Sequence, residues 1–100
     1  MATIRYRRRH SVEPEVARAE LRKLVQRFAE KYKFSVSWED EDRAVISRRG
    51  VKGLVELRPG EILFNIRLSL LLTPFRARIE RGLAQEVQRA LDEVYASKAS

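Results

Sequence analysis

The chain has 100 residues, 44% of them apolar, and 21 Lys and Arg against 14 Asp and Glu, for a net charge of +7. That length and composition describe one folded domain with a modest core and exclude a disordered chain. The absence of cysteine excludes disulfides, thiolate nucleophiles and cysteine-bound zinc. The basic balance favours anionic partners without naming one.

Residues 3–9 read as a strand. Ile4 and Tyr6 point one way and Thr3, Arg5, Arg7 and Arg9 the other, because side chains alternate across a strand. Arg8 shares the apolar face, with its stem on the core and its guanidinium reaching water. The segment has no apolar run behind its basic residues, so it does not read as a secretory signal. His10 and Ser11 turn the chain, with Ser11 as the turn or capping residue. Pro14 suits a first helical turn, and Glu13 and Glu15 lie near its positive end. Over 14–32, Ala17, Leu21, Leu24, Val25, Phe28, Ala29 and Tyr32 form one helical stripe. Arg18, Arg22, Lys23, Gln26, Arg27, Glu30 and Lys31 cover the other faces.

A four-strand meander follows over 34–70. Phe34, Val36 and Trp38 alternate with Ser35, Ser37 and Glu39, and Asp40-Glu41-Asp42 reads as a solvated hairpin tip. In the next strand, about 43–48, Ala44 and Ile46 compete with Val45 for the inner face. Arg48-Arg49-Gly50 makes a turn in which Gly50 can take a positive φ. Val51 to Arg58 is the fourth strand, with Val55 and Leu57 inward and Gly53 marking either a bulge or a close neighbour. Pro59-Gly60 fits the centre of a type II turn.

The most strongly patterned stretch is 61–72. Ile62, Phe64, Ile66, Leu68 and Leu70 fall at every second position, so one face is dry and the other wet. Leu70-Leu71-Leu72 is the longest apolar run, far short of the ~20 residues a membrane span needs. Thr73 then reads as an N-cap and Pro74 as the first position of a helix over 74–96. Its stripe is Phe75, Ile79, Leu83, Val87, Ala90, Leu91 and Val94. Gly82, inside it at a cost of about 1 kcal/mol, marks a bend or a close contact. Residues 97–100 are expected to fray.

These elements predict an α+β domain over residues 1–100, in the order β-α-β-β-β-β-α. Its five-stranded antiparallel sheet has both helices packed on one face. With the meander running up and down, the first strand is antiparallel to the fifth, which gives the spatial order 2-3-4-5-1. A place beside the second strand would be parallel, using the first helix as crossover, and is the alternative.

Several landmarks resemble the polyhydroxyalkanoic acid system protein family, small bacterial proteins encoded near polyester-storage genes. They are Ile4-Arg-Tyr-Arg-Arg-Arg-His10-Ser11, Trp38-Glu39, Gly50-Val51-Lys52-Gly53, and Leu70-Leu71 followed by Pro74 and Ile79-Glu80, spread from about Ala2 to Tyr95. The resemblance implies a cytoplasmic accessory of polyhydroxyalkanoate metabolism, acting at the polyester granule or on a granule-associated protein. It supplies no catalytic residues. The sequence departs from the family pattern in the acidic Asp40-Glu41-Asp42 tip and in Gly82.

Arg5, Arg7 and Arg9 line one strand face, and Arg48, Arg49 and Lys52 can extend that row from the hairpin. Such a row offers an anion- or nucleic-acid-binding surface, and is equally the wet face of a one-sided sheet. With Tyr6, Phe34, Trp38 and Phe64 assigned inward, no aromatic platform remains for stacking bases. Leu54 and Leu63, set among those charges, are candidate contacts for a second copy in a homodimer or for polymer surface. Leu71, Leu72 and Phe75 are expected in the core; whichever protrudes is the candidate contact with polyester.

No enzyme is expected. His10, Ser11 and Glu13 have the residue types of a nucleophile relay, but sequence neighbours do not make a triad. Asp40, Glu41 and Asp42 lack calcium-loop spacing, and Gly50-Val-Lys-Gly53 lies between strands instead of before a helix. Accordingly, no metal and no cofactor are expected.

Overall fold

The computed structural model describes residues 2–99. Its elements are β1 (Ala2–Arg9), α1 (Pro14–Tyr32), β2 (Ser35–Asp40), β3 (Arg43–Arg48), β4 (Val51–Arg58), β5 (Glu61–Leu68), a 3-10 helix η1 (Leu70–Phe75) and α2 (Arg76–Ala99). The sheet order is β1-β5-β4-β3-β2 with every pair antiparallel. β1 therefore lies beside β5, where strand parity places it.

Register explains which side chains share a face. Ile4 lies opposite Ile66, Ile66 opposite Gly53, and Gly53 opposite Ile46. All three isoleucines are fully buried. A Cβ on Gly53 would lie 2.8 Å from Ile46 Cγ1 and 3.1 Å from Ile66 Cγ1. The glycine thus records close neighbours on both flanking strands, not a bulge. The same register puts Ala44 and Ile46 inward and leaves Val45 half-buried on the outer face.

Both helices cover this inner face. α1 lays Leu21, Leu24, Val25 and Phe28 on the sheet, and α2 adds Ile79, Leu83, Val87 and Leu91. Phe28 is the aromatic centre, with ring centroids 5.4 Å from Phe34, 5.0 Å from Tyr32 and 6.5 Å from Phe64. Burying a side chain of this kind contributes roughly 1.5–3 kcal/mol. Between the helices, Arg27 Nε donates to Glu86 Oε2 at 3.0 Å. Arg27, expected on the solvent face, is instead tucked against α2. The Arg22 guanidinium lies 4.4 Å from the centre of the Trp38 ring.

Element ends differ from the sequence reading in informative ways. Glu13, not Ser11, occupies the N-cap of α1, and it makes no side-chain cap bond. The other end closes on Lys33 in the left-handed region (φ 61), with its N–H and that of Phe34 directed at the Ala29 carbonyl. β5 stops at Leu68, and Leu70 is 75% exposed instead of continuing the dry face. Thr73 and Pro74 do not open α2. They lie within η1, where Thr73 Oγ1 donates back to the Ser69 carbonyl at 3.3 Å. α2 continues to Ala99, beyond the expected end at 96, and Ser100 of the expected frayed tail lies outside the described residues.

Candidate functional site

The arginine row falls into two places. Arg5, Arg7, Arg9 and Lys52 point to the outer sheet face, where Lys52 lies directly opposite Arg67. Arg49 is exposed in the β3–β4 turn. Arg48 leaves the row: two positions beyond Ile46, it shares that residue's face toward the helices and donates through Nη1 to the Tyr32 carbonyl. The outer face also carries acids. Arg7 Nε is 2.6 Å from Glu61 Oε2, and Arg58 Nε is 2.8 Å from Glu56 Oε1. The bond from Arg7 holds the Glu61 carboxyl below its ordinary range. Leu54 and Leu63 are half-buried among these long side chains.

The polar groups at the other end of the sheet bind one another. Arg18 Nε donates to Asp42 Oδ1 at 2.8 Å, with Glu41 3.6 Å from Nη1. The hydrogen bond it donates to Asp42 raises the Arg18 pKa, and the acidic tip clasps a cation of its own chain. His10 Nδ1 accepts the Val12 N–H at 3.2 Å, which leaves the other ring nitrogen, Nε2, as the protonated one. Burial pushes the His10 imidazole below its ordinary value. Among the described residues no hydrogen bond joins His10 to Ser11 or Glu13, so the relay types are not assembled into a relay.

The corner between β5 and α2 is organised differently. Leu71 is 87% exposed and Phe75 46% exposed, against the expectation that both lie in the core; Leu72 does pack against it. The reason is local. Ser69 N–H donates to the Gly50 carbonyl at 2.8 Å, which ends the strand, and Leu72 N–H donates to the Ser69 carbonyl at 3.0 Å, which starts a tight turn. A 3-10 turn has three residues per turn. Once Leu72 faces inward, Leu70 and Leu71 cannot share that face, so both project.

Gly50 is the seat of this turn. Its φ is +82°, and a Cβ there would lie 2.9 Å from Ser69 Oγ and 3.0 Å from Leu72 Cδ1. Only a residue without a side chain lets the β3–β4 hairpin pass so close beneath η1.

Beside the corner runs an open groove of about 650 Å³. Its apolar wall is Tyr32, Phe34, Val51, Leu72, Phe75 and Ile79. Lys31, Arg48, Arg78 and Arg81 also line it, and no carboxylate does. Within 4 Å no acidic side chain pairs with any of these four cations among the described residues. Tyr32 spans the floor, its hydroxyl lying 1.8 Å from where a Gly82 Cβ would be and donating weakly, at 3.5 Å, to the Arg78 carbonyl. Gly82 therefore marks a close helix contact. Sequence patterning missed the groove because its residues come from α1, from the link between α1 and β2, and from β3, β4, η1 and α2, with no shared local signal.

The sequence profile of the family described as "Putative polyhydroxyalkanoic acid system protein" matches residues 4–94. No curated protein matches the chain, and neither does any solved structure. Among the described residues, no helix is long and apolar enough to cross a membrane.

Proposed function

The chain belongs to the polyhydroxyalkanoic acid system protein family, and on that premise we propose that it is a non-enzymatic, cytoplasmic accessory of polyhydroxyalkanoate storage that binds at the granule surface through its η1 corner. The observation carrying this reading is the pair Leu70 and Leu71, 75% and 87% exposed on a turn pinned by backbone hydrogen bonds. Isolated exposed leucines are ordinary. Two adjacent ones held out on a short braced turn, with Phe75 beside them, make a contact that loses little entropy on meeting an apolar solid. Purified protein is expected to co-sediment with amorphous polyhydroxyalkanoate particles. Retention no greater than that of an unrelated protein of equal charge removes the reading.

A second reading rests on the outer face. Lys52 and Arg67 are direct cross-strand neighbours, and like charges so placed repel unless an anion lies between them. A polyanion on Arg5, Arg9, Lys52 and Arg67 would relieve that repulsion. Such binding weakens steeply with salt as counterions are released. Retention on a DNA column that survives neutralising these four side chains eliminates it. Leu54 and Leu63 give the same face its only argument for a homodimer, which a monomer mass at high concentration would end.

A further inference from the structure

The groove and the projecting corner are adjoining but separate surfaces. Leu70 and Leu71 are exposed and absent from the groove's lining, whereas Leu72 and Phe75 form part of its wall. What fits the groove must satisfy two conditions at once. It must offer an apolar body to Tyr32, Phe34, Leu72, Phe75 and Ile79, and a negative charge to four cations without carboxylate partners.

Cations lining one groove repel one another, and they lower the energy of any anion brought between them. Three of the four are arginines, whose planar forks bind a carboxylate through two parallel hydrogen bonds. Arg48 already has one nitrogen fixed on the Tyr32 carbonyl, which holds it at the groove. Arg78 and Arg81, three apart on α2, lie on one face of the helix and reach the same space. A volume of about 650 Å³ is within the range of small-molecule sites.

Resting on the storage reading above, we propose that this groove binds the carboxylate end of a hydroxyalkanoate chain. Arg78 and Arg81 hold the acid group and the aromatic wall holds the alkyl or ester body. A polyester of hydroxy acids is uncharged along its length and carries one carboxylate at its acid terminus. The groove therefore recognises chain ends, or the free acids, while the corner recognises bulk surface.

The test uses the intact chain and 3-hydroxydecanoic acid below its micelle concentration, titrated by calorimetry. The acid is expected to bind one to one, and its methyl ester about tenfold or more weakly, since the ester cannot accept charge-assisted bonds at full strength. Arg78→Gln with Arg81→Gln should weaken acid binding by about tenfold or more. Both side chains are exposed, so the folded state is expected to survive, as circular dichroism checks. Leu70→Ser with Leu71→Ser should leave acid affinity within about twofold.

Equal binding of acid and ester, or no effect of the paired glutamines, overturns the proposal. Tighter binding of decyl phosphate than of the acid also overturns it, reassigning the groove to phosphate amphiphiles. Failure of this inference is separable from failure of the storage reading. Particles retained without acid binding sink the groove alone, and acid bound without particle retention sinks the surface contact alone.

Discussion

The outer sheet face and the η1 corner are built from the same residue types, arginine and leucine, yet their surroundings differ. On the sheet, Arg7 and Arg58 find Glu61 and Glu56 at 2.6 and 2.8 Å, and Leu54 and Leu63 are half-covered by long neighbours. At the corner, Leu70 and Leu71 project from a turn held by backbone bonds, and the groove beside it carries cations without acids. Strands present a regular ladder in which each outward residue is flanked by others of its row, so Arg7 and Arg58 find partners and the leucines find cover. A single braced turn has no such rows. The lesson is that composition marks both regions equally and only their geometry separates them.

The largest expected effect falls on that separation itself. Leu70→Ser with Leu71→Ser should cut retention on polyester particles by about tenfold or more, from the loss of two large apolar contacts. Leu54→Ser with Leu63→Ser should change it less than about twofold. Equal losses would break the comparison and shift the contact to the sheet.

Next in size are Gly53 of β4 and Gly50 of the turn that leads into it. Gly53→Ala forces a methyl between Ile46 and Ile66, both fully buried, and should cost about 1–3 kcal/mol in urea unfolding. Gly50→Ala places a side chain at φ +82° and against η1, costing about 1–2 kcal/mol from the backbone alone. The two differ in readout. Gly53→Ala should lower stability with particle retention kept below the melting point, while Gly50→Ala should displace η1 and lose retention as well. Identical behaviour would mean the corner has no seat of its own.

The smallest effect belongs to the paired charges of the sheet. Glu61 has its pKa lowered by the Arg7 hydrogen bond, so its contribution is present above the unfolded carboxylate value near 4.5 and is lost as pH falls through the lower folded value. Arg7→Gln should flatten that acid limb through a small loss of melting temperature at neutral pH that vanishes at low pH, small because the Arg7 side chain is largely exposed. A large neutral-pH loss would make this face more than a solvated ladder.

Much of this fold is legible in the residues alone. The alternation from Ile62 to Leu68 and the stripes from Ala17 to Ala29 and Ile79 to Val94 each name their buried face, since periods of two and 3.6 admit no other arrangement. Strand order follows from parity. What stayed hidden depends on contacts between distant segments. Leu70 continues the alternation perfectly, and only the bond from Ser69 to the Gly50 carbonyl takes it out of the sheet. Arg48 looks like Arg49 until register turns it toward Tyr32. Arg27 looks solvated until Glu86 arrives from the other helix. The groove was illegible for the same reason: its cations are scattered over α1, β3 and α2.

The position of β1 has a consequence for how the chain is made. It sits at one margin of the sheet with β5 as its sole neighbour, the last strand to be synthesised. A ribosome therefore releases Ile4 and Tyr6 long before Ile66 and Phe64 exist to receive them. The meander of adjoining hairpins can close as it emerges, but the leading segment must wait, tethered by α1, until β5 has left the exit tunnel. Its run of arginines keeps that waiting strand dispersed, since nascent copies carrying it repel one another.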